Sequence, residues 1–154
     1  MNGRGKPEGI SIRVSNRDPG RRIRLGFFRD LAASVLLRSR KKQAEISLTF
    51  VTDRAMQRLN RDYRGQDRPT DVLAFDLSRA PEPGRARPVL NAEIVISTQT
   101  ARRQAAGKRH SMTREISHLL IHGLLHVMGY DHMKPDEARR MARRERFLIR
   151  ELLN

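Results

Sequence analysis

The sequence contains no cysteine in its 154 residues. That absence excludes a disulfide framework, a thiolate metal site and a cysteine nucleophile, so any bound metal must be held by nitrogen or oxygen atoms. The sequence also lacks a run of about 18 uncharged apolar residues, which a membrane-spanning helix requires. Its first ten residues contain no apolar core of a signal peptide. A soluble, cytoplasmic protein that does not enter a membrane is therefore the expectation.

Acidic residues are scarce relative to basic ones. Asp and Glu number 17 against 32 Lys and Arg, which gives a formal net charge of +15 and a pI near 11.6. The excess predicts an anionic partner, most specifically a polyanion, although a generally basic surface is the alternative. Charge alone does not separate RNA, DNA and an anionic membrane.

Length and hydropathy patterning predict a single domain over residues 1–154. Alternating apolar residues predict strands over 9–15, 45–51, 72–77 and 92–97. Helical patterns are found over 23–38, 52–62, 98–106, 112–128 and 135–153. The opening strand, helix and strand are typical of a layered sheet. We expect residues 1–8 to be flexible, the proline-containing segment 78–88 to be an exposed loop and the last helix to be amphipathic.

Four of the five histidines fall within residues 118–132, in a segment that is otherwise almost entirely apolar. His118, His122 and His126 recur every four residues, so they form one stripe along a helix. Apolar side chains cover the rest of its circumference, which predicts a buried helix. Buried imidazoles are costly unless they are hydrogen-bonded, line a cavity or hold a metal.

The histidine spacing favours a metal site. His122 and His126 can direct nitrogens at one ion, and Gly129 can end the helix in a left-handed conformation so that His132 turns back to the same ion. His118 and His126 are about 12 Å apart along the axis, so we assign His118 as a neighbour or core residue. Three neutral nitrogens leave a fourth position for water, which is typical of catalytic zinc, and metal-bound water has a pKa of about 7. Two roles are open for Asp131: orienting a ligand, or shaping a surface turn.

The substrate class depends on one position within HGLLHVMGYDH, residues 122–132. This segment matches the metzincin protease pattern H-E-x-x-H-x-x-G-x-x-H at its histidines and glycine, but Gly123 stands where those proteases have their general base. A phosphodiester suits the basic chain better. Arg64, beside Tyr63, is the candidate for binding the phosphate and stabilising its charge.

Residues 122–132, together with the upstream pattern N-x2-YR-x2-D-x-PTDVL-x-F over residues 60–75, resemble the YbeY family of bacterial endoribonucleases. The resemblance implies a single-domain α+β fold, in which a small, mixed or mostly parallel four-stranded sheet packs with helices around the histidine-bearing helix. It also implies one Zn²⁺ per chain on His122, His126 and His132, with Arg64 in the same cleft.

The same resemblance implies single-strand-specific cleavage of RNA, 3′-end maturation of 16S rRNA and a part in ribosome quality control. The partners would be ribosomal RNA and the small ribosomal subunit, and the oligomeric state is left open. Ala74, Asp76 and the pair Ala92-Glu93 depart from the family pattern, and we expect the last change to affect a turn near the site.

The leading hypothesis is a zinc-dependent hydrolase in which water held on the ion by His122, His126 and His132 attacks a phosphodiester. The general base is left open between the bound hydroxide, the 2′-OH of the substrate and a carboxylate such as Asp71. Two alternatives are a non-catalytic assembly factor that binds ribosomal RNA and carries a structural metal, and a metzincin-like protease.

Overall fold

The structure is a computed structural model that describes residues 9–78 and 89–154. Within them are the strands β1 (Ile10–Asn16), β2 (Ala44–Val51), β3 (Val72–Asp76) and β4 (Leu90–Ser97). The helices are α1 (Leu25–Arg38), α2 (Asp53–Arg64), α3 (Thr98–Lys108), α4 (Met112–Val127) and α5 (Pro135–Leu153). Each predicted strand and helix is present. The flexible segment expected over 1–8 and all but Ser78 of the loop expected over 78–88 lie outside the described residues.

The four strands form one mixed sheet in the order β1-β2-β4-β3. β1, β2 and β4 run parallel, and β3 pairs antiparallel with β4 at the edge. Parallel neighbours need a crossover, which α1 supplies between β1 and β2. The single-domain α+β fold with a four-stranded mixed sheet is confirmed.

Strand alternation divides the sheet into two faces. Leu48, Ile94 and Ile96 have no solvent exposure and belong to the main core, which they form with α1, α4 and α5. On the other face α2 covers part of β3 and β4, where Met56 and Leu73 belong to a second, smaller core. The rest of that face is open and polar.

Ala92 and Glu93 lie inside β4 and are paired with β2 on one side and β3 on the other. Ala92 is buried in the main core, and Glu93 lines the open face of the sheet. The expectation that this pair affects a turn near the site is therefore wrong, because both residues belong to a strand in the interior of the sheet.

Helix α4 is the central helix of the domain. Its N-terminus is capped by Ser111, whose hydroxyl accepts a hydrogen bond from the amide of Arg114 at 3.1 Å. Most of its residues are buried, as the apolar periodicity predicted. Helix α5 packs against it through Met141 and Leu148 and leaves most of its arginines in solvent, so its amphipathic character is confirmed. In the described part of the chain no helix is long and apolar enough to cross a bilayer.

Candidate active site

The end of α4 reverses the chain where the sequence predicts a reversal. Gly129 has a φ of +98°, and its amide donates to the carbonyl of His126 at 3.1 Å. The amide of Tyr130 donates to the carbonyl of Leu125 at 3.0 Å. This pair of hydrogen bonds is the Schellman motif, in which glycine adopts the left-handed conformation at least cost. The reversal brings His132 back towards the last turn of α4.

Asp131 shapes the turn that carries His132. Its Oδ1 accepts hydrogen bonds from the amides of His132 at 2.6 Å and Met133 at 3.2 Å. Of the two roles left open for Asp131, the structure supports the turn residue, because the carboxylate orders the backbone at His132 and bonds to no imidazole of the cluster.

The three imidazoles assigned as ligands lie close together. The ring centroid of His132 is 6.0 Å from that of His122 and 6.2 Å from that of His126. Zn–N bonds of about 2.1 Å in a tetrahedron would separate ring centroids by about 5 Å, so the rings must close by about 1 Å to share one ion. As the side chains stand, no group of three or more His, Asp or Glu in residues 9–78 and 89–154 is positioned to hold a metal.

His118 lies apart from that cluster and contacts His110 instead. The two rings meet edge to face with centroids 5.4 Å apart, and Nε2 of His118 is buried and has no hydrogen-bond partner among residues 9–78 and 89–154. Burial, followed by the charge of Arg114, lowers the pKa of His118. His118 is therefore a neutral residue packed beside the site, which agrees with its assignment as neighbour or core.

The histidine cluster has a carboxylate partner that the sequence did not reveal. Oε1 of Glu145 on α5 is hydrogen-bonded to Nδ1 of His122. This bond raises the pKa of His122, although burial of the ring opposes the shift. A signal was present: Glu145 lies between Met141 and Leu148 on the side of α5 that faces the core, where a lone carboxylate needs a partner.

The donor set fits a metal chemically. Metal-binding histidines commonly donate their second ring nitrogen to a carboxylate, which fixes the ring and raises its basicity. Glu145 does this for His122 at Nδ1 and leaves Nε2 for an ion. Burial lowers the pKa of His126, as do the neighbouring His132, His122 and Arg64. A low pKa keeps that imidazole neutral, as a ligand must be.

Arg64 is the last residue of α2, and its charge is among those that lower the pKa of His126. Gly65, with a φ of +68°, ends the helix directly after it. The following loop is tied to α2 because the side-chain amide of buried Asn60 donates to the carbonyl of Arg68 at 2.9 Å. These contacts fix the backbone on either side of Arg64, whose side chain is exposed, and its charge is close enough to influence the pKa of His126.

Asp71 lies close enough to His122 for its charge to contribute to raising the pKa of that ring. Its Oδ1 accepts from the amide of Val72 at 2.7 Å, and its Oδ2 accepts from Nε2 of Gln104 at 3.2 Å. Both oxygens are thus engaged. Each oxygen retains a lone pair, so Asp71 remains among the candidates for the general base.

Gly123, which replaces the metzincin general base, faces the sheet. A Cβ added there would lie 3.4 Å from Cγ2 of Ile94 and 3.5 Å from Cγ2 of Val72. A longer side chain at this position would enter the core between α4 and the sheet. The position therefore cannot present a carboxylate to a substrate beside the histidines.

Comparisons with known proteins match nearly the whole chain. The sequence profile of the family described as endoribonuclease YbeY matches residues 14–153. A protein of that name from Anaeromyxobacter sp. is 43% identical over 92% of this chain and 71% of its own length, and one from Desulfitobacterium hafniense is 43% identical over 79% and 80%. The solution structure of TM1509 from Thermotoga maritima has a similar fold, with a TM-score of 0.57 and 23% identity over 91% of this chain and 90% of that one.

Proposed function

The chain belongs to the endoribonuclease YbeY family, and on that premise we propose that it is a zinc-dependent endoribonuclease specific for single-stranded RNA. Its role is in the cytoplasm, in 3′-end maturation of 16S rRNA and in ribosome quality control. Ribosomal RNA and the small ribosomal subunit are its partners.

One observation carries the zinc part of the proposal: the hydrogen bond between Glu145 and Nδ1 of His122, beside two further imidazoles. His122, His126 and His132 would hold one ion per chain. When bound, zinc supplies a Lewis acid that polarises a phosphoryl oxygen and lowers the pKa of water towards neutrality. Glu145 would restrain the His122 ring through Nδ1 while the three rings close around the ion.

Arg64 supplies the anion-binding half of the site. A guanidinium grips phosphate through a planar fork, and it is most useful in catalysis when it is fixed where negative charge accumulates. The effect of its charge on the pKa of His126 supports binding of the scissile phosphate by Arg64. The general base is the bound hydroxide, the substrate's 2′-OH or Asp71, whose two oxygens accept one hydrogen bond each.

The two alternatives predict different behaviour. Gly123 faces the core, which argues against the metzincin mechanism. A non-catalytic assembly factor would bind RNA without cutting it. The test is incubation of the purified chain with a single-stranded RNA, with the same RNA annealed to its complement, and with a 16S precursor. We expect cleavage of the single strand and of the precursor 3′ end, and an intact duplex. Intact RNA in every sample would overturn the proposal, and casein digestion that a chelator blocks would favour a protease.

A further inference from the structure

We infer that a cationic cleft between the end of α1 and helix α5 is a second RNA-binding subsite, which holds the backbone of the strand whose scissile phosphate lies at the histidine cluster. The inference extends the proposed function to the path of the substrate and rests on it. The cleft is outside the cluster formed by His122, His126, His132 and Arg64.

The cleft has the charge that a polyanion requires. It has a volume of about 460 Å³, and its charged lining consists of Arg38, Arg40, Lys41 and Arg144, with no carboxylate. One of these cations is paired at the surface, because Oε2 of Glu151 is 3.5 Å from Nη1 of Arg38. Several cations around one concave surface attract phosphate groups and concentrate them locally.

The floor of the cleft suits a single strand. Met128 and Tyr130 line it, so an aromatic ring lies among the basic side chains. Surfaces that bind single strands combine such a ring, on which a base stacks, with cations that follow the backbone. The Oγ of Ser39, which also lines the cleft, is buried and has no hydrogen-bond partner in the described part of the chain.

The cleft continues towards the histidine cluster. A smaller cleft of about 250 Å³ shares Met128 and Tyr130 with it and extends along Gly129 and Asp131. Arg140 and Glu137 complete its charged lining. Asp131 immediately precedes His132, so the smaller cleft reaches the turn that carries this histidine, and its two carboxylates, Asp131 and Glu137, make it less favourable for phosphate than the cationic cleft.

The basic side chains are set on a fixed backbone. Nη2 of Arg144 donates to the carbonyl of Arg38 at 3.0 Å, which ties α5 to the end of α1. The amide of Lys41 donates to the carbonyl of Leu36 at 2.9 Å, and Arg40 has a φ of +58°. Arg40 thus occupies the left-handed position that usually holds glycine after a helix. Its side chain is exposed, and an Arg40→Gly variant removes the charge while relieving the backbone.

The test is the salt dependence of RNA binding, measured by fluorescence anisotropy with a labelled single-stranded RNA that a denaturing gel shows to be intact afterwards. The test variant is Arg40→Gly with Lys41→Gln. The matched control is Arg109→Gly with Arg102→Gln, because Arg109 has the same left-handed backbone, with a φ of +57°, and both control residues are exposed on α3 or at its end.

Each phosphate contact contributes about 0.7 to the slope of log affinity against log salt, so the test variant should lose about 1.4 and bind roughly 20-fold more weakly near 0.1 M salt. The control should keep the slope of the unmodified chain. Equal slopes for test and control would overturn the inference, as would a loss of binding to anionic phosphatidylglycerol vesicles with unchanged RNA binding. The experiment measures binding and not cleavage, so its result can be interpreted even if the chain proves not to be catalytic.

Discussion

Glu145 on α5 is hydrogen-bonded to Nδ1 of His122 on α4, so two helices separated by a turn meet at the first of the three clustered histidines. The contact joins the apolar packing of α5 to the orientation of a candidate ligand. It also orients the ring of His122, because the carboxylate accepts the proton of Nδ1; an ion bound at Nε2 would have to displace the second proton that the raised pKa favours.

Replacing Glu145 by Gln should weaken zinc binding by about 10- to 100-fold, because loss of such a carboxylate partner makes the imidazole a poorer and less oriented ligand. Zinc affinity can be measured by competition with a chromogenic chelator. Asp136→Asn, at an exposed position in the first turn of α5, is the control and should bind zinc as the unmodified chain does. Equal affinity in both variants would remove Glu145 from the site.

Arg64→Ala should reduce cleavage of single-stranded RNA by about 100- to 1000-fold, the usual loss when a donor to developing charge is removed. Zinc content and thermal stability should stay unchanged, because the side chain is exposed at the end of α2. Arg58→Ala, an exposed arginine on the same helix, controls for the loss of one charge. Unimpaired cleavage by the Arg64 variant would contradict its assignment.

Gly123→Ala should change the free energy of unfolding by no more than about 1 kcal/mol, because better helix propensity offsets the new contacts of Cβ with Ile94 and Val72. Gly123→Glu should unfold the domain or destabilise it by several kcal/mol, since the carboxylate would enter the core. Chemical denaturation measures both. A stable Gly123→Glu variant that digests casein would contradict the conclusion that position 123 faces the core.

Acid should destabilise the chain through Glu115, whose side chain is inaccessible to solvent. Burial would raise its pKa, but hydrogen bonds from Lys108, at 2.8 Å, and His110 outweigh it and lower the pKa below its ordinary 4.5. The stabilisation is therefore present above the unfolded pKa and is lost as the pH falls through the folded one.

Replacing Glu115 by Gln should lower the free energy of unfolding by about 2 kcal/mol at pH 7, because hydrogen bonds to a buried charge are weakened. The variant should also lose less of that free energy between about pH 5 and about pH 3, the range in which an ordinary carboxyl titrates. Urea denaturation at several pH values gives both quantities. Exposed Glu45→Gln is the control and should retain the acid dependence of the unmodified chain. If the unfolding free energy of both variants declined identically in acid, Glu115 would not be responsible for the acid destabilisation.

Local patterns predicted most of the fold. The four-residue recurrence of histidines and the glycine at 129 predicted α4 and its reversal, because both depend on contacts within a few residues. The helical pattern over 52–62 likewise predicted α2, which is capped by Thr52, whose hydroxyl accepts from the amide of Ala55 at 3.3 Å. Such features are determined by backbone hydrogen bonds that the sequence encodes locally.

What escaped prediction depends on how distant segments pack. Glu145 reaches His122 only because α5 folds back over α4, and its spacing from Met141 and Leu148 was the one local sign. The expectation for Ala92-Glu93 failed because β4 begins at Leu90, two residues before the predicted start, which places both residues within the strand. The strand patterns predicted which segments are strands but not which strands are neighbours.

The most direct test of the central claim is to measure how RNA cleavage depends on the amount of zinc bound to the chain. Metal is removed with a chelator and zinc is returned in steps, while bound zinc and cleavage of single-stranded RNA are measured on the same samples. The account predicts that cleavage disappears with the metal and returns in proportion to it, reaching a maximum at one zinc per chain. Full cleavage by a chain without measurable zinc would contradict it.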